Sequence, residues 1–238
     1  MVKLFFGLLI AFCLFQILGE TLVSDRGQAG VPIALLIVAF LLFYRQIAFG
    51  EGIRDALSSL GLSAPNSRGL VISFLLSLIL LVAIPIFGLA TSTKIEFRQD
   101  TLWAIPGLFA QAGIAEEALF RGYLFGQIRK SRSFWRAAFL SAIPFVIVHL
   151  ILFFTMPMAI AAAALLLAVV ISFPLAYLYE LSGRTIWAPA LLHFVVQGAI
   201  KLVTITEGSF QDLAMFWMGA SAVIPWIVFA WRSEAGER

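Results

Sequence analysis

Glu116-Glu117-Ala118-Leu119-Phe120-Arg121 is the stretch of this sequence best equipped for chemistry. It places three ionisable side chains in an otherwise apolar run that begins near residue 102. A charged group at membrane depth costs roughly 2.5–3.5 kcal/mol on insertion scales, so such groups are usually paired and functional. On a helix, Glu117 and Arg121 stand at i and i+4, within reach of an ion pair. Glu116 lies about 100° round the same helix. One glutamate is matched by its arginine, and Glu116 is left as a surplus carboxylate.

The only two histidines, His149 and His193, also fall inside apolar runs. At 1.5 Å per residue, Glu116, His149 and His193 lie about 15, 22 and 12 Å from the cytoplasmic ends of their spans. All three levels fit within a hydrocarbon core of about 30 Å, so three helices can present Glu, His and His to one polar cavity. Ala112, Gly113, Ala115 and Ala118 make the glutamate helix narrow and allow close approach. Pro144 and Pro189 precede the histidines by about one turn, a spacing that predicts kinks or freed carbonyls beside the site. Gln197, at i+4 from His193, shares its face and carries an amide donor.

A carboxylate, two imidazoles and an amide suit hydrolysis. A glutamate can serve as general base for water, and N–H groups can stabilise a tetrahedral oxyanion. The same set could instead hold zinc through His149, His193 and Glu116, with water in the open position. There is no HExxH helix and no G-x-S-x-G, and the single cysteine, Cys13, is remote in sequence. A metal-free site is the preferred reading, with zinc as its alternative.

These residues need a scaffold that holds them at depth. The chain has 238 residues, 62% hydrophobic and 12% charged, against about 25% charged in ordinary soluble domains. With a mean hydropathy of +1.02, it reads as a single all-α integral membrane domain over residues 1–238. Eight spans are predicted, at 4–20, 31–49, 69–90, 102–126, 134–155, 157–180, 185–205 and 211–231. The first is read as a span rather than a signal peptide, because no small-x-small cleavage site follows it. Residues 51–62 carry Ile53, Leu57 and Leu60 at helical spacing among polar neighbours, which predicts a short amphipathic helix on the membrane surface. Gly61 should end that helix.

The formal charge of +3 is distributed as topology, not as a nucleic-acid surface. With the N-terminus inside, the cytoplasmic segments hold Lys3, Arg45, Arg54, Arg68, Arg129, Lys130, Arg132, Arg136, Arg184, Arg232 and Arg238. The opposite side holds Arg26, Lys94, Arg98 and Lys201. Both termini are therefore expected in the cytoplasm.

Glu116-Glu117-xxx-Arg121, then Phe145-xxx-His149, then His193-xxx-Gln197 resembles the CPBP family. These are the type II CAAX prenyl endopeptidases and bacteriocin-processing (Abi) intramembrane proteases, and the similar region spans about residues 69–203. The resemblance implies an eight-helix fold with a conical cavity. It implies that Glu116 activates water with help from His149, that His193 and Gln197 form an oxyanion hole, and that Glu117, Arg121 and Phe145 support the site. The last motif usually ends in asparagine, and here it ends in Gln197. The expected partner is a membrane-embedded or lipid-anchored protein or peptide, prenylated or bacteriocin-type, in the bilayer. The competing functions are a non-catalytic peptide-binding or immunity relative, and a proton-coupled transporter. Against transport stand the lack of an inverted repeat and of a second charged cluster.

Overall fold

In the computed structural model, residues 2–22 and 29–231 are described. The chain forms α1 (Val2–Thr21), α2 (Gly30–Phe49), α3 (Ile53–Ser59) and α4 (Ser67–Thr91), followed by the strand β1 (Lys94–Phe97). Next come α5 (Thr101–Leu108), two π-helical stretches (Phe109–Ala115 and Ala118–Phe125) and α6 (Gly126–Arg129). α7 (Phe134–His149), α8 (Leu152–Thr155) and α9 (Met158–Leu181) lead to α10 (Trp187–Gly198) and a 3-10 turn, Ala199–Leu202. The strand β2 (Val203–Glu207), α11 (Phe210–Val223) and a 3-10 stretch (Ile224–Ala230) complete it. The molecule is an all-α membrane bundle with one small sheet.

Six helices among the described residues are long and apolar enough to cross a membrane, two fewer than the eight spans expected. They are Val2–Thr21, Gly30–Phe49, Ser67–Thr91, Phe134–Thr155, Met158–Leu181 and Phe210–Ala230. The other two predicted spans, 102–126 and 185–205, fall on segments assembled from shorter pieces. They are the two that carry Glu116, Glu117 and His193. Polar side chains and changes of helical pitch go together there, and π-helical insertions are frequent at functional sites.

Several local expectations are altered. Pro144 does lie inside α7. Pro189 instead occupies the first turn of α10, where backbone N–H groups have no intrahelical partner, so it breaks no hydrogen bond. The segment 51–62 forms only the seven-residue α3, and Ile53 on it is exposed. α3 docks through Ala56 and Leu60, both fully buried, and ends at Gly61, whose φ of 71° is left-handed. A two-stranded antiparallel ribbon, β1–β2, was not expected from the sequence; it pairs Phe97 with Val203 and Lys94 with Glu207.

Hydrogen bonds sort the loops into two ends of the bundle. At one end Lys3 Nζ donates to Ala48 O (2.9 Å), Trp187 Nε1 to Ser63 O (2.8 Å) and the Asn66 amide to Ser182 O (3.0 Å). Arg129 faces Glu180 there at 3.4 Å. At the other end lies the ribbon, with Arg98 N donating to Leu202 O (3.0 Å). The larger basic set gathers at the first end, and Lys94, Arg98 and Lys201 at the ribbon end. Arg26, Arg232 and Arg238 lie outside the described residues.

The segment 101–129 runs through the middle, packed by α10, α2 and α7. Ala112, Ala115 and Ala118 are buried, and a Cβ on Gly113 would stand 3.0 Å from the Ala190 carbonyl oxygen. At Gly122 the contact is closer still, since a Cβ there would meet Leu60 O at 2.1 Å. Both neighbours are backbone, so neither can move aside cheaply. Gly122→Ala should therefore lower stability by about 1–3 kcal/mol, the usual cost of overpacking. Gly19, with nothing within 4 Å, is the control. Thermal unfolding of both alanine variants in detergent tests this, and equal midpoints would refute the close packing.

Candidate active site

The site is built on the pitch change in the central segment. The two π-helical stretches flank Glu116 and Glu117, whose backbones themselves remain in the right-handed helical region. The two carboxylates take different surroundings. Glu117 is wholly buried, while the Glu116 side chain keeps 14% of its surface open.

Glu117 Oε1 receives two charge-supporting contacts. Arg121 Nη1 donates to it at 2.7 Å, and His193 Nδ1 lies 2.6 Å away on a different helix. A carboxylate at that nitrogen requires Nδ1 to carry a proton, which leaves His193 Nε2 as a lone pair in the neutral ring. The intrahelical pair was legible in the spacing. The bond to His193 was not, because it joins residues 76 apart.

His149 ends α7, and its Nδ1 lies 2.7 Å from the carbonyl oxygen of Phe145. A carbonyl only accepts, so here too Nδ1 is the protonated nitrogen and Nε2 is free to act as acceptor or base. Phe145 is buried and central. Its ring lies 4.7 Å from that of His149, 6.0 Å from that of His193 and 4.8 Å from that of Phe120. The Arg121 guanidinium sits 4.7 Å above its centroid, in a cation–π contact.

Gln197 reaches the same place from α10. Its Nε2 donates to Glu116 Oε2 at 3.4 Å and stands 3.4 Å from His193 Nε2, which is itself 3.8 Å from Glu116 Oε2. α10 is steadied beside it by Trp217, whose Nε1 donates to Val196 O at 2.8 Å. Lys201 Nζ stands 3.5 Å from Gln197 Oε1. The sequence pattern counted Lys201 only among the charges of the non-cytoplasmic side, although its i+4 spacing from Gln197 was visible.

A cavity of about 230 Å³ opens beside Glu116 and His149. His193 and Gln197 do not line it, though both stand within 4 Å of the Glu116 carboxylate. Phe12, Phe15 and Gln16 of α1 form part of its wall, and the sequence motifs did not point to them. The one legible signal was Gln16, an amide in a nearly unbroken apolar run. Among the described residues no three His, Cys, Asp or Glu side chains are grouped so as to hold a metal ion.

Glu117→Gln should act first through stability. It leaves the buried Arg121 charge unpaired, at a cost of roughly 3–5 kcal/mol. Adding Arg121→Met should restore much of the melting temperature but not the orientation of His193. An unchanged midpoint in the single variant would show that the buried pair contributes nothing.

All seven residues of the three motifs lie within residues 98–199, which match the family model of Rce1-like type II CAAX prenyl endopeptidases. No curated protein matches the chain. A multi-pass helical bundle, the three ordered motifs and this match over residues 98–199 agree, and together they support the CPBP family, that of the type II CAAX prenyl endopeptidases.

Proposed function

We propose that this chain hydrolyses a peptide bond in a membrane-associated, lipid-anchored substrate, using water activated by Glu116. The observation that carries this reading is the division of labour between adjacent carboxylates. Glu117 is sealed in and committed to Arg121 and His193, whereas Glu116 is partly open and shares a cavity with His149.

In the proposed reaction Glu116 takes a proton from water as the oxygen adds to the substrate carbonyl carbon. His149, with Nδ1 fixed on Phe145 O, offers Nε2 to orient that water. The tetrahedral oxyanion accepts the Gln197 amide N–H, a donor in every protonation state of the site. His193 Nε2 joins it only when the ring is charged, because Nδ1 already serves Glu117. Collapse of the intermediate breaks the C–N bond, and Glu116 returns its proton to the leaving amine. Glutamine in place of the family's usual asparagine retains the donor and adds a methylene to its reach. No step is routed through zinc.

The proposed orientation places both termini in the cytoplasm, supported by the basic residues at the end of the bundle that holds Lys3 and Arg129. After Cys13→Ser, a cysteine at Ser131 should be modified from the cytoplasmic side alone. Modification from outside intact cells would reverse the topology.

The catalytic reading is tested by comparing membrane proteomes of cells carrying native or Glu116→Gln protein. One precursor should accumulate in the variant, and its cleavage by purified protein should fall by about 10²–10⁴-fold. In the same assay Gln197→Ala should lower kcat by about 10²–10³-fold with KM little changed, Gln197→Asn should stay active, and a tight zinc chelator should have no effect. Near-native cleavage by folded Glu116→Gln would remove the assignment.

A further inference from the structure

α1 carries fully buried residues only along its first half. Its buried residues are Leu4, Gly7, Leu8 and Ala11, and none follows. From Phe12 onward no residue of α1 is fully buried, although Leu14, Phe15 and Leu18 still pack against the core, and this part of the helix lines the cavity beside Glu116 and His149. Phe12, Phe15 and Gln16 therefore face the proposed reacting groups across it. All three lie outside residues 98–199, which carry the family match.

Gln16 is the one amide in that lining; the other polar members are Glu116 and His149. Its Nε2 donates to Glu20 Oε1 at 3.0 Å, one turn further along α1. That contact fixes the amide and leaves Oε1 as an acceptor with no hydrogen bond among the described residues. A substrate segment in this cavity has the complementary need. A peptide opened for hydrolysis is not helical, so its main-chain N–H groups have lost their internal partners. In a membrane interior there is little water to replace them, and each unsatisfied group is costly.

Resting on the proteolytic reading above, we infer that α1 is the substrate-facing wall of the site and that Gln16 Oε1 accepts a hydrogen bond from a main-chain N–H of the bound substrate. Phe12 and Phe15 supply apolar contact on either side of that bond. Glu20 is a positioning residue, holding the amide so that its oxygen rather than its nitrogen meets the substrate. Because this contact exists in the bound ground state, its loss raises KM and spares kcat.

The test uses purified full-length protein in liposomes with a farnesylated tail peptide, and a series of peptides each N-methylated at one main-chain nitrogen near the cleaved bond. Gln16→Leu should lower kcat/KM by roughly five- to tenfold, carried by KM, which is the worth of one neutral hydrogen bond. One N-methylated peptide should lose a similar factor with wild-type protein and lose nothing further with Gln16→Leu. If Gln16→Leu does not accumulate, Gln16→Met, which keeps the length of the side chain, replaces it. Wild-type protein that does not cut the peptide, or cuts it no better than Glu116→Gln, overturns the proposed function and this inference with it. Cleavage that depends on Glu116 but is unchanged by Gln16→Leu, or additive losses at every N-methylated position, overturns this inference alone.

Discussion

The Glu117 carboxylate holds the site together. It sits with no exposed surface in the interior of the bundle, and a lone anion there would be untenable. Arg121 one turn on supplies the opposite charge, and His193 supplies a second donor from another helix. The arginine is itself covered by the Phe145 ring, which also meets both histidines. Removing any member leaves a buried polar group without its partner, so the cluster behaves as one unit. Its charge inventory matters as well. Arg121 sits at Glu117, and Lys201 Nζ stands 3.5 Å from Gln197 Oε1.

The central segment shows why the site is affordable in a small bundle. Glycines and alanines bring α10 and α3 against its backbone, so polar side chains from neighbouring elements converge without long reaches. A second ion pair, Arg45 with Glu51, repeats the principle nearer the basic end. Arg45 is buried there against Phe49 and Tyr123, and its Nε donates to Glu51 at 2.9 Å.

Hydropathy and charge marked most of the scaffold in the sequence, because lipid demands long apolar helices and basic loops mark one face. Within the site, the Glu117–Arg121 pair was legible because it is local to one helix. Contacts made between helices left no trace in spacing: the second partner of Glu117, the central place of Phe145, and the wall made by α1. The π-helical pitch around Glu116 was hidden for another reason. An inserted residue in a helix changes hydrogen bonding without changing which residues are apolar. The ribbon escaped because its strands are short, separated by most of the site, and closed only by tertiary pairing.

That ribbon sets an order on biosynthesis. β1 leaves the ribosome before the central segment, but its partner β2 follows α10, so the two can meet only after Glu116, His149 and His193 have all been translated. A chain arrested between the central segment and α10 carries Glu116 but lacks His193 and Gln197, and β1 is still without its partner strand. The residues of the candidate site therefore come together only after α10 is home, and the ribbon closes behind them.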